Sequence, residues 1–271
     1  MSGTLRATIL GCGSSGGVPR VGGDWGVCDA KEPRNRRSRG GLLLERWSGA
    51  VGDGEATTVL IDTSPDLREQ LLAANVRRID AIIYSHDHAD QTHGIDDVRA
   101  LAIRMRRRIP VFIDDVTRAS LEKRFRYIFH GEGGYPAILS IVGEVAAHED
   151  ITIDGPGGAL TLMPLLQDHG GIDSFGFRTG RFAYNNDVAQ LPRETLDVLD
   201  GLDVWIVDAL RYTPHPTHAH VERTLGWIDA LKPRRAVLTN LHVDLDYRTL
   251  ERELPRGVEP AYDGWSVDLF L

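Results

Sequence analysis

The chain has 271 residues, 42% of them hydrophobic, with 39 acidic against 31 basic residues and a formal net charge of −8. This length and composition support a sizeable core, read here as a single domain over residues 1–271. The acidic balance argues against a sequence-independent nucleic-acid binder, which is ordinarily basic. Two cysteines, Cys12 and Cys28, indicate no disulfide scaffold and cannot build a cysteine-rich zinc knuckle.

The stretch Met1 to Arg6 lacks the basic region and apolar core of a secretory leader. No apolar run approaches the ~20 residues that cross a bilayer. A cytoplasmic protein without a membrane span is therefore expected.

In chain order, Ala7 to Leu10 predicts a strand that runs into a glycine-rich loop, Gly11 to Arg20. Gly11, Gly13 and Gly16 match the dinucleotide fingerprint, but that fingerprint must open a helix. Gly17, Pro19, Gly22 and Gly23 forbid one, and a loop passing close to a ligand fits better. The segment Lys31 to Arg39 is rich in cations. A solvated face is the ordinary reading, and an arginine or two reaching a substrate phosphate is left open. Gly41 to Glu45 and Thr58 to Asp62 read as paired strands. A helix follows over Asp66 to Asn75, with Ser64 as N-cap and Pro65 at its first position.

Ile79 to Tyr84 reads as a buried strand, Asp96 to Arg107 as a helix, Val111 to Ile113 as a short strand and Thr117 to Phe129 as a helix. Beyond Glu149, strands are expected at Leu160 to Leu166, Ser174 to Arg178, Arg181 to Tyr184, Val204 to Asp208 and Ala236 to Thr239. Helices are expected at Arg193 to Leu199 and His220 to Leu231. This order of elements suggests two mixed sheets covered by helices on their outer faces.

The chemistry concentrates after the Ile79 strand, in Ser85-His86-Asp87-His88-Ala89-Asp90-Gln91-Thr92-His93-Gly94. Imidazoles two residues apart point to one side of an extended segment, and a carboxylate two further on can reach the same point. Zinc and manganese take this mixture of nitrogen and oxygen ligands. Single polar residues also recur where predicted strands end: Asp62, His169, Asp187, Asp208 and His242. Any one of them is more often a cap or a turn residue. Together with His86, His88 and Asp90 they mark loops at a sheet edge, where sites are built.

With these residues the chain resembles the metallo-β-lactamase superfamily, and most closely its PhnP-type cyclic phosphodiesterase branch, with ribonuclease Z more distant. The glycine loop Leu10 to Arg20, Leu60-Ile61-Asp62, the His86 motif running into Gly94 to Arg99, Tyr184 to Asp187, and Asp208 to His218 carry the resemblance. It implies an αββα sandwich of two mixed sheets flanked by helices. It also implies one or two divalent ions, manganese or zinc. His86, His88 and His169 would hold the first metal, Asp90 would belong to the second and Asp187 would bridge them. Asp62 would orient a bound histidine or water from behind the ligands. His218 matches the position of the general acid, with His215 and His220 as nearby alternatives.

Two positions depart from the family pattern. Gln91 stands where the motif's last histidine belongs, and Asn240 where the C-terminal histidine ligand belongs. An amide oxygen is a poor zinc ligand beside imidazole, so the second site should be altered. If the chain stays extended past Asn240, His242 faces the same way and could substitute. His93 would lie on a starting helix, roughly 200° round from Gln91, and substitutes less well. Cys28 is the one cysteine left of a family zinc knuckle, Val243 stands at its C-terminal partner position, and no knuckle is expected.

The function implied is a metal-dependent phosphodiesterase acting on a small cyclic or nucleotide-like phosphate. Two alternatives stay open: a degenerate member that binds a nucleotide or phosphosugar without efficient turnover, and a tRNA-processing nuclease. The partner expected is a small phosphorylated substrate, not a membrane or a long nucleic acid. The sequence does not fix the oligomeric state, and a homodimer is left open.

Overall fold

The structure, a computed structural model, describes residues 3–271. Met1 and Ser2, which open the N-terminal stretch read above, lie outside the described residues. The strands are β1 (Thr4–Gly11), β2 (Gly41–Trp47), β3 (Thr57–Ile61), β4 (Ala81–Ile83), β5 (Ile109–Phe112), β6 (Leu139–Gly143), β7 (Ile151–Ile153), β8 (Leu160–Asp168), β9 (Asp173–Thr179), β10 (Phe182–Asn185), β11 (Val204–Asp208), β12 (Arg235–Thr239), β13 (Val258–Pro260) and β14 (Ser266–Phe270). The helices are α1 (Leu67–Ala73), α2 (Ala89–Thr92), α3 (Arg99–Met105), α4 (Asp115–Arg124), α5 (Arg126–His130), α6 (Arg193–Asp197), α7 (Val221–Leu231) and α8 (Tyr247–Glu253).

The strands form two seven-stranded sheets, ordered β14-β1-β2-β3-β4-β5-β6 and β13-β12-β11-β10-β9-β8-β7. Both are mixed. In the first, β1/β14 and β2/β3 are antiparallel, while β3, β4, β5 and β6 run parallel. In the second, β8/β9 and β9/β10 are antiparallel, while β10 to β13 run parallel. The chain divides into two compact units. One holds residues up to Leu10, Gly41–Thr161 and Ser266–Leu271; the other holds Gly11–Gly40 and Leu162–Trp265.

In the first unit the parallel strands β3 and β4 are buried along their whole length, as near-continuous apolar strands of a parallel sheet are. Leu60, Ile82, Ile109 and Val111 are buried against Leu67 and Leu71 of α1, Ala102 of α3, Leu121 of α4 and Phe129 of α5. Truncating one of them, for example Ile82→Ala, costs about 2–5 kcal/mol. In the second unit Leu165, Ala183, Trp205, Val207 and Leu238 pack with Val221 of α7 and Leu250 of α8. Leu225, Ile228 and Leu231 of α7 line that cluster.

Several expectations shift at element ends. The Thr117 to Phe129 helix is two helices, broken at Phe125 (φ −129°, ψ 36°), and it begins earlier because Asp114 accepts from the backbone N–H of Val116 and Thr117. The Asp96 to Arg107 helix opens with a 3-10 turn, Ile95–Val98, and stops where Arg106 turns left-handed. Ser64 is not the N-cap of α1, which begins at Leu67, although its hydroxyl accepts from Asp66 N–H. Strands β6, β7, β13 and β14 and helix α8 fall outside the expected elements; β7 and β13 have only three residues each. Among the described residues no helix is long and apolar enough to cross a membrane.

Candidate functional site

The first unit builds a relay behind His86. Strand β3 ends at Ile61, and Asp62 turns left-handed (φ 65°), a conformation Asp tolerates better than most residues. Its carboxylate accepts from Ser85 N–H at 2.8 Å and from Ser85 Oγ at 2.7 Å. Ser85 Oγ also meets His86 Nδ1 at 3.0 Å. With its proton given to the carboxylate, the hydroxyl accepts from the ring, so Nδ1 carries the hydrogen and Nε2 keeps the lone pair a metal needs. Burial pushes the Asp62 carboxyl up to about 7, against the Ser85 hydrogen bonds and with a small push from Asp90.

His88 follows at the start of α2, its ring 4.6 Å from that of His86 and edge-on to it. The motif's backbone is tied at each step. Thr92 Oγ1 donates to His88 O at 2.8 Å, Thr63 N–H to Gln91 O at 2.7 Å and Gly94 N–H to Thr63 O at 2.9 Å. Gly94 is a glycine for close approach, since a Cβ there would strike the Ser64 carbonyl. Asp90 lies on α2, 3.4 Å from Gln91 Nε2, and belongs to no compact metal-holding group of ligand atoms among the described residues. His93 turns toward Arg124 and the Phe125 ring.

The second unit gathers His169, Asp187 and His218, with one ligand atom of each within 4.8 Å of the others. His169 Nδ1 lies 2.7 Å from the Thr217 carbonyl, which only accepts, so this ring too keeps its lone pair on Nε2. Asp187 sits just beyond β10 at φ 52°. A buried polar chain fixes it: Trp205 Nε1 donates to Asn185 Oδ1 (2.7 Å), Asn185 to Gln167 (2.8 Å), Gln167 to Ser174 Oγ (3.0 Å) and Ser174 Oγ to the Asp187 carbonyl (2.8 Å). Asn186 Nδ2 donates to Asp187 Oδ2 at 2.8 Å. Ser85, Asn186 and Ser174 escaped the sequence reading; the one signal available was the polar run Asn185-Asn186-Asp187 after an apolar strand.

His218 Nδ1 is flanked by Asp208 Oδ2 at 2.8 Å and Asn240 Nδ2 at 3.0 Å. One ring nitrogen cannot both donate to the carboxylate and accept from the amide. A carboxylate accepts, so Nδ1–H donates to Asp208, and the amide is left to donate to Asp187 Oδ1 at 3.2 Å. Asp208 is fully buried, and among the described residues its Oδ1 has no hydrogen-bond partner. Among the described residues, no ion pair joins His215 or His220 to a buried carboxylate. His215 packs its ring 5.2 Å from that of His218 and has its pKa lowered, chiefly by burial. His220 caps α7 and lies 3.9 Å from exposed Glu222.

His242 corrects an expectation. Strand β12 ends at Thr239, and Asn240 turns left-handed (φ 62°), so the extended alternation that would align His242 with Asn240 is broken. Its ring meets Arg20 of the glycine loop and Asp244 Oδ2 (3.1 Å), and it belongs to no compact group of metal-holding atoms among the described residues. Burial is the main cause of its lowered pKa. Cys28 is a buried thiol that donates to the Val243 and Leu245 carbonyls (3.4 Å each) and packs with Val18 and Val243. Where the family would place a knuckle there is a small apolar cluster.

Imidazoles with Nδ1 bound and Nε2 kept basic, beside a carboxylate, are a donor set that fits a divalent metal. The sequence profile of the beta-lactamase superfamily domain matches residues 57–240. The crystal structure of a new diphosphatase from the PhnP family is 34% identical, with a TM-score of 0.87, covering 100% of this chain and 99% of that one. Zn(2+)-bound PqqB from Methylobacterium extorquens shares the fold at 18% identity (TM-score 0.71; 97% and 100% covered). An octanoyltransferase of Porphyromonas gingivalis (strain ATCC BAA-308 / W83) is 30% identical over 264 residues, 96% of this chain and 51% of that protein, so the chain spans about half the length of this relative. The chain belongs to the metallo-β-lactamase superfamily, in its PhnP-like branch. Its two mixed sheets with helices are that fold.

Proposed function

We propose that the chain is a metal-dependent phosphodiesterase that hydrolyses a small cyclic or nucleotide-like phosphate. The observation that carries this reading is the Asp208–His218 pair beside His169 and Asp187. Hydrolysis of a phosphodiester expels an alkoxide, which needs a proton, and this pair is built to supply one.

By the family motif, His86, His88, His169 and Asp187 would be the ligands of the first metal. A bound divalent cation would neutralise phosphate charge and lower the pKa of a water. The protein's own residues do the rest. Ser85 and Asp62 hold the His86 ring in its metal-binding tautomer, and the Thr217 carbonyl does the same for His169. Asp208 holds the Nδ1 proton of His218, so a second proton on Nε2 is the one that passes to the leaving oxygen, returning the ring to its neutral form. Gln91 and Asn240 make the second metal position oxygen-rich, which favours manganese over zinc there.

The test is metal-dependent hydrolysis of bis(p-nitrophenyl) phosphate and of a panel of small cyclic phosphates, with manganese added. Turnover abolished by chelator and restored by metal supports the reading. Tight binding of a cyclic phosphate without turnover favours the non-catalytic alternative. The 34% identical diphosphatase supports a second reading, cleavage of a diphosphate linkage. A diphosphate diester run beside the cyclic phosphates separates the two. The net charge of −8 weighs against a tRNA-processing nuclease.

A further inference from the structure

Between the motif's two histidines stands Asp87, whose carbonyl accepts a 2.8 Å hydrogen bond from Arg124 Nη2. The same guanidinium lies 3.6 Å from the Asp87 carboxylate and offers Nη1 to His93 Nε2 at 3.3 Å. Arg124 is the last residue of α4, a helix capped at its other end by Asp114 and anchored one turn before Arg124 by buried Leu121. Other ties on this loop come from Thr63 and Thr92, neutral groups, and at Ser85 from the Asp62 carboxylate. Arg124 reaches it from 37 residues away and clasps the start of the motif (Asp87) and its end (His93) with one planar fork.

We propose that Arg124 is a positioning residue for the metal ligands His86 and His88, an inference that rests on the metal assignment given under the proposed function. The peptide between two ligands sets the angle between their side chains. A hydrogen bond from a charged donor to that peptide's carbonyl is stronger than a neutral one, and it restrains the loop before metal arrives. A guanidinium can serve the carbonyl, the carboxylate and the imidazole at once through fixed, divergent N–H groups, whereas an ammonium cannot reproduce the fork. Arg124 touches no reacting group in this scheme. Its effect is on how tightly, and in what geometry, the histidines take a cation.

The test compares the full chain with Arg124→Ala, Arg124→Lys and His88→Ala. Cobalt(II) and manganese(II) affinities are measured by competition with a chromophoric chelator, together with the visible spectrum of the cobalt form and the Tm of each metal-free protein. Partners behind metal ligands are typically worth about 10–100-fold in affinity. Arg124→Ala should weaken binding by that order and shift the cobalt bands, and Arg124→Lys should recover only part of the loss. A purely structural role would lower Tm and leave affinity and spectrum alone, which overturns the proposal. So does a higher KM with metal affinity unchanged, which would make Arg124 a substrate contact. Should Arg124→Ala fail to fold, Arg124→Lys decides: wild-type affinity overturns the proposal, and weakened affinity supports it. His88→Ala checks the underlying assignment separately. Undiminished metal binding in that variant removes the assignment and Arg124's role with it. Lost binding there, with Arg124→Ala unchanged, removes the Arg124 role alone.

Discussion

His218 Nδ1 lies 2.8 Å from Oδ2 of Asp208, a fully buried carboxylate that also accepts the Val188 N–H at 3.1 Å. The pairing fixes which ring nitrogen carries the resident proton, and it sets His218 apart from His215 and His220 on the same loop. In the proposed reaction it makes Asp208 a positioning residue and His218 the proton donor.

Replacing His218 by Ala should therefore lower turnover by about 10²–10⁴-fold on a substrate with a poor alkoxide leaving group, and far less on a p-nitrophenyl ester. Asp208→Asn should show the same dependence on leaving group with a smaller loss, and the double variant should be no worse than His218→Ala. Steady-state rates on the paired substrates read this directly. Equal losses on both would mean that His218 supports binding or fold.

Metal content reports on the ligand assignment. His88→Ala and His169→Ala should each strip the bound divalent ion when the dialysed protein is analysed for metals, because each removes one imidazole of the proposed first-metal set. Cys28→Ser should leave metal content unchanged, since its thiol is engaged with two backbone carbonyls.

A second metal should be weak in the wild type, with Gln91 and Asn240 at its family positions. The variant carrying both Gln91→His and Asn240→His should titrate with two firmly held ions, since imidazole outcompetes an amide. The left-handed backbone at 240 admits histidine with little strain. A wild type that already binds two ions equally firmly would show that other residues complete the site.

Stability at acid pH should depend on Glu32. Its buried carboxylate is bonded by Arg34 at 2.8 Å and by Arg248, which hold its pKa down from 4.5 to about 2. A folded-state pKa below the unfolded one gives stability that is complete above 4.5 and disappears as pH falls toward about 2. Urea denaturation should find wild type more stable than Glu32→Gln at neutral pH, with the gap closing as the pH drops through that window. A constant gap would assign the effect to packing.

The sequence by itself determined the candidate metal ligands and most of the frame. His86-x-His88-x-Asp90 after an apolar run, single polar residues at strand ends, and the buried strands near Leu60, Ile82, Trp205 and Val237 are local patterns, and they are legible because a parallel strand covered on both faces must be apolar along its length. What tertiary structure alone decided was pairing across sequence distance and the local backbone. Asp62 against Ser85, Asp208 against His218, and Arg124 against Asp87 join residues that no spacing connects. The exclusion of His242 from the compact donor groups followed from one left-handed residue, Asn240. A sequence shows a side chain's chemistry and its period. Direction past the end of a strand depends on a single φ angle, which the hydrogen bonds of the folded loop decide.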